Sequence, residues 1–205
     1  MQVRMLLGVL AIMATAGAAA AQSVLDEIEA SIDGRASELE RVEKLLSDSD
    51  PKRRIAAMEA ILKTGDPAFV RKAREVGLFS ADPQLRQIAV KAIFDAGGPF
   101  RIDTAPPTKD STNIIEFVVN HSGSVDANGG GTIQFVLTGD YSAEHRCWTN
   151  RRGNCSLRQT GDVIHLTDWT NGTGSFTLDD SGVLQGTLLY ARHGKPVDAR
   201  IPLYE

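Results

Sequence analysis

The sequence predicts an α+β protein, with N-terminal helical hairpins followed by a C-terminal antiparallel β-barrel or small β-sandwich. Three observations carry that expectation. Apolar residues return every three or four positions from Ser23 to about Ala96, and the period falls to two after residue 112. Between the two regimes lie Gly97-Gly98-Pro99 and Thr104-Ala105-Pro106-Pro107-Thr108, which punctuate the chain. The expected divisions are residues 1–21, a signal peptide; 22–98, the helical domain; 99–112, a linker; and 113–205, the β domain.

The N-terminus has one basic residue, Arg4, an apolar run from Met5 to about Ala14, and the small residues Ala19-Ala20-Ala21 before Gln22. That order is the secretory one, and it predicts export to a bacterial periplasm with cleavage near Ala21. The run falls short of the roughly 20 apolar residues a membrane span needs, so no transmembrane segment is expected. Removing Arg4 with the leader leaves 21 basic against 26 acidic residues, well mixed along the chain. A mildly acidic surface without a basic stripe excludes nucleic acid as an expected partner.

The helical region opens with Leu25, Ile28, Ile32, Leu39, Val42 and Leu46 on a heptad seam, with Arg35 at one inward position. One long helix there would offer an oligomer seam over residues 25–46; the Asp33-Gly34 step favours two shorter helices instead. Further on, Asp50-Pro51, Asp66-Pro67 and Asp82-Pro83 recur with a period of 16. Each Asp suits a helix N-cap and each Pro the first helical position. The register extends to Ala57, Ala73 and Ala89, and to Leu62, Leu78 and Phe94. Gly65 and Gly97-Gly98 supply chain reversals.

The stretch Asp82-Pro83-Gln84-Leu85-Arg86-Gln87-Ile88-Ala89-Val90-Lys91-Ala92-Ile93 resembles the helix of HEAT-like (PBS-lyase-type) repeats, and Asp50 to Ile61 follows it less closely. The resemblance spans residues 42–97, with Arg53 and Val70 as departures. It implies a stack of helix pairs serving protein contacts. The alternative is an ordinary helical cap on the β domain.

In the β region, Ile115/Phe117/Val119, Ile133/Phe135/Leu137, Val163/His165 with Ile164/Leu166, Phe176/Leu178, Leu184/Leu188/Tyr190 and Val197/Ala199/Ile201/Leu203 alternate. They predict seven or eight strands joined by tight turns. The run Gln159-Thr160-Gly161-Asp162, then Gly174-x-Phe-x-Leu-Asp and Gly182-x-Leu-x-Gly186, resembles lipocalin-like small barrels, which implies a ligand carrier.

Cys147 and Cys155, eight positions apart, form a disulfide in an oxidising compartment. The loop they close presents Trp148, Arg151 and Arg152, residue types that dominate interface hot spots. These three are the candidate recognition residues, with Trp169 and Tyr141 next; the competing reading folds Trp148 back onto the sheet. No catalytic set emerges. His121, His145, His165 and His193 are scattered without ligand spacing, Asp179-Asp180 sits in a turn, and Asp126/Asn128 reads as a bare turn rather than a calcium loop. No enzyme activity, cofactor or metal is expected. The expected role is that of a periplasmic interaction or scaffold protein binding another envelope protein or a glycan. The alternatives are a small-ligand carrier and an inhibitor of an envelope glycan hydrolase.

Overall fold

A computed structural model describes residues 13–111, 113–169, 172–190 and 194–204, with side chains from residue 24 onward except that of residue 168. The leader expected at residues 1–21 lies outside the described residues as far as residue 12. Among the described residues no helix is long and apolar enough to cross a membrane. The architecture is α+β, with helices leading and an antiparallel sheet following.

Four helices form the first part: α1 (Met13–Leu46), α2 (Pro51–Lys63), α3 (Pro67–Leu78) and α4 (Pro83–Asp95). The three Asp-Pro pairs act as read from the sequence. Asp50, Asp66 and Asp82 each accept a hydrogen bond from the N–H two residues on, and each Pro opens its helix. Arginines tie these caps to earlier helices, Arg35 of α1 to Asp66 and Arg54 of α2 to Asp82. Val42 and Leu46 of α1 are buried with Met58, Ile61, Ala73 and Leu85.

The expected break at Asp33-Gly34 does not occur; α1 runs through it. A mid-helix Gly costs only about 1 kcal/mol, and Arg35 pins the next turn by stacking 4.3 Å over Phe69 and pairing with Asp66 and Glu38.

After α4, Gly97 and Gly98 take φ of 87°, a left-handed conformation open to Gly, and turn the chain into the sheet. Among the described residues there are ten strands, more than the seven or eight expected: β1 (Phe100–Thr104), β2 (Ser124–Val125), β3 (Gly131–Phe135), β4 (Tyr141–Ser142), β5 (Cys147–Thr149), β6 (Cys155–Thr160), β7 (Val163–Trp169), β8 (Gly172–Leu178), β9 (Val183–Tyr190) and β10 (Val197–Pro202). They pair antiparallel in the order β2-β3-β1-β10-β9-β8-β7-β6-β5-β4.

Two expectations need correction. Residues 99–112 are not simply a linker, because β1 lies there between β3 and β10; its alternation of buried Phe100, Ile102 and Thr104 was hidden by the flanking prolines. Ile115/Phe117/Val119 is not a strand but part of helix α5 (Asn113–Asn120), which buries Ile114, Phe117 and Val118. A short apolar run satisfies both periods, and tertiary burial chose the helical one.

The sheet does not close into a barrel, since its end strands β2 and β4 are not paired with each other. It is nevertheless rolled. Residues 136–140 must bridge β3 to β4, at most about 20 Å of chain, whereas eight flat strand steps would span roughly 38 Å. Gly186 permits the sharp coil between β8 and β9, where a Cβ would collide with the Ser175 carbonyl oxygen. An aromatic column fills the roll: Trp148, Phe94, Phe100, Phe135, Trp169, Phe117 and Tyr190 follow one another with ring centroids 4.5 to 6.3 Å apart. Leu78, Ala89, Val90 and Phe94 of the helices belong to the same core as the strands. Arg86 completes the seam by donating to the Leu178 and Asp179 carbonyls and the Asp180 carboxylate.

The helices, their caps and the β8–β9 turn together generate two predictions. Gly34→Ala, at an exposed position with open space around it, should stabilise the fold by about 0.5–1 kcal/mol in urea unfolding. Acid should act through three carboxyls. The Asp66 pKa is lowered by the Arg35 hydrogen bond and then by the Phe69 N–H. At Asp82 and Asp179 burial raises the pKa, but hydrogen bonds outweigh it, from Gln84 and Arg54 at the first and from Ser181, Val183 and Gln185 at the second. Folded pKa values below the ordinary 3.8 mean that the unfolded chain binds more protons. Their stabilisation is therefore present above about pH 4 and lost as pH falls through the folded-state values. Melting between pH 7 and 2.5 should show this loss, and Asp66→Asn, which keeps a cap but not the charge, should flatten it.

Candidate functional site

The candidate site is built on the hairpin β5–β6 and the end of α4. The Cys147–Cys155 disulfide joins adjacent strands, with Cα atoms 5.6 Å apart. A register shift follows Trp148, which pairs with Leu157. Pairing with a core-facing partner turns Trp148 inward, where it is 1% exposed. It is therefore not a surface anchor: its ring packs on Phe94 and edge-on against Tyr141, and its indole N–H donates to Asp95 at 3.0 Å.

Asp95 is also the i,i+4 partner of Lys91, at 2.7 Å. The Lys91 ammonium lies 3.9 Å over the Tyr141 ring and 5.7 Å from that of Trp148. Carboxylate and aromatic faces thus hold one cation between them, an arrangement favoured by the ring quadrupole. Nearby on α3, burial lowers the Arg74 pKa and the Asp95 charge opposes that shift. The open cleft here, about 540 Å³, is lined by Lys91, Asp95, Thr138, Asp140, Tyr141 and Trp148 among others.

The hairpin tip is held as firmly as its base. Asn150 accepts from the Arg152 and Asn154 N–H groups through Oδ1, and the Arg151 N–H donates to Thr138. The Thr149 N–H donates to the Asp140 carbonyl. From this frame Arg146, Arg151, Arg152 and Arg158 all project into solvent. None forms an ion pair among the described residues; Arg158 only approaches Cys155 Sγ at 3.7 Å. Four uncompensated guanidiniums within 13 positions contrast with a chain whose formal charge is -4.

Of the residues singled out from sequence, Arg151 and Arg152 are at the surface, and Tyr141 is half-buried under Lys91 in the same cleft. Trp169 is elsewhere, half-buried between Phe117 and Phe135 in the core column. The sequence reading missed Lys91, Asp95 and Arg158. The first two were signalled by their i,i+4 spacing on α4, and Arg158 by its place in the strand beside core-facing Leu157.

Other suspected chemistry resolves into structure. Asp126 Oδ1 accepts from the Asn128 and Gly130 N–H groups as a turn would, and Asp179 does the same for Ser181 and Val183. His193 lies outside the described residues. No group of three or more metal-ligating side chains occurs among the described residues. A second and larger groove, about 1010 Å³, lies over β3, β1, β10 and β9, where Asp103 takes Arg101, Arg200 and Thr132. Comparison with protein-family models, curated proteins and solved structures finds no match to this chain.

The buried and exposed parts of the hairpin should separate in unfolding experiments. Trp148→Ala should cost about 3–5 kcal/mol, as a large buried side chain does. Arg151→Ala and Arg152→Ala should stay within about 0.5 kcal/mol. Urea titration followed by circular dichroism measures both.

Proposed function

We propose that this is a non-enzymatic, exported interaction protein of the bacterial periplasm. Its HEAT-like helices serve as a scaffold, and the stapled hairpin docks an acidic surface of another envelope protein. The observation that carries the reading is the set of four exposed arginines, without carboxylate partners, on a hairpin immobilised by a disulfide, the Asn150 turn and the Thr138 tie. Arg makes several planar hydrogen bonds to a carboxylate at once, and a pre-ordered loop loses little entropy on binding. The filled interior of the sheet supports surface docking over carriage of a small ligand.

A second reading rests on the same arginines. Glycan hydrolases work with paired carboxylates in a cleft, and a rigid basic loop fits such a cleft as an inhibitor would.

The test is affinity capture from the native periplasm with wild type and with Arg151→Glu/Arg152→Glu, which leaves the core untouched. A partner retained by wild type should be weakened roughly tenfold or more by the charge reversal, and also by raised salt. Retention that ignores both changes refutes the hairpin as the site. Inhibition of lysozyme-type hydrolases by wild type, lost in the same variant, would select the second reading.

A further inference from the structure

The stretch of α1 from Val24 to Ile32 carries an apolar stripe that nothing among the described residues covers. Val24, Leu25, Ile28 and Ile32 are 54%, 58%, 49% and 60% exposed, although Val42 and Leu46 on the same seam are buried. Around the stripe stand Asp26, Glu27, Glu29 and Asp33, all exposed, and no basic residue occurs between positions 23 and 34. A helical segment this short is marginal by itself in water. Here it extends from a packed helix, so it is held in shape ahead of any partner.

We infer that residues 24–34 dock an amphipathic helix of another protein, one whose apolar stripe is flanked by Lys or Arg. The anchors at positions 25, 28 and 32 have the spacing by which one helix reads another. Charge and extent decide the occupant. A second copy would set four carboxylates against four more within about a Debye length. It would also offer only the layers of Leu25, Ile28 and Ile32 before Arg35, which is committed to Phe69, Asp66 and Glu38. A self-standing coiled coil ordinarily sustains three to four heptads. A basic helix turns the same carboxylates from repulsion to attraction and is steered to them. The inference does not rest on the arginine hairpin, whose charge is opposite and which selects a different partner.

The experiment uses residues 22–205 and three labelled synthetic peptides of three heptads, followed by fluorescence anisotropy. One has Leu at the inward positions with Lys flanks, one has the same Leu pattern with Glu flanks, and one is the Lys peptide with its order scrambled. Only the first should bind, with affinity falling as salt rises. Ile28→Asp, and separately the neutral set Asp26→Asn/Glu27→Gln/Glu29→Gln/Asp33→Asn, should each weaken it about tenfold or more. Circular dichroism should show both variants folded, and Ile28→Ala/Ile32→Ala serves if the first is not. Failure of the Lys peptide to bind, equal binding of the scrambled or Glu peptide, or indifference to the substitutions overturns the inference. So does a wild-type dimer in light scattering that Ile28→Asp dissolves, which would assign the stripe to a second copy.

Discussion

Phe94 is where the two halves of the molecule meet. It sits one residue before the end of α4, and its ring lies 4.8 Å from Phe100 at the start of β1 and 5.4 Å from Trp148 in the hairpin. Burying a ring of this size is among the larger single contributions a side chain makes to a core. Because it touches the third and the ninth strand of the sheet order, it also constrains shape: β1 and β5 must come to the same helix end. The rolled sheet, the aromatic column and the inward turn of Trp148 all depend on that convergence.

Polar contacts then fix the angle that the core leaves free. Arg86 reaches the β8–β9 turn with both terminal nitrogens, and Gln87 and Gln159 bridge α4 to β6. Within the helices, Arg35 and Arg54 join caps two helices away, so a residue that starts one helix also registers another. Such pairs are worth little in isolation at a surface, but each of these carboxylates is also an N-cap, and the two roles reinforce one another.

What these constraints leave over is a segregation of charge. Residues 24–34 of α1 and the arginine-bearing hairpin each gather exposed charges of one sign that form no ion pair among the described residues. The hairpin is held rigid by covalent and hydrogen-bonded ties, whereas α1 is held by its continuation into packed turns. A partner docking at either place, as proposed, would meet a surface whose ordering the fold has already completed.

Much of this organisation was legible in the chain itself. The Asp-Pro period of 16 marked three helix starts to the residue, and the cysteine spacing marked the staple, because caps, prolines and short covalent loops act over a few neighbouring residues. The turns at Asp126 and Asp179 were readable for the same reason. Non-local facts were not. Whether residues 113–120 coil or extend depended on which face the sheet would bury; β1 was obscured because its partners β3 and β10 lie about 30 and 100 positions away. The direction of Trp148 depended on a register shift, and the Lys91–Asp95–Tyr141 cluster on α4 meeting the hairpin. Sequence alone determined local conformation and the inventory of charge; the tertiary structure decided which aromatic was core and which cation was free, since burial is a property of the packed chain rather than of any residue in it.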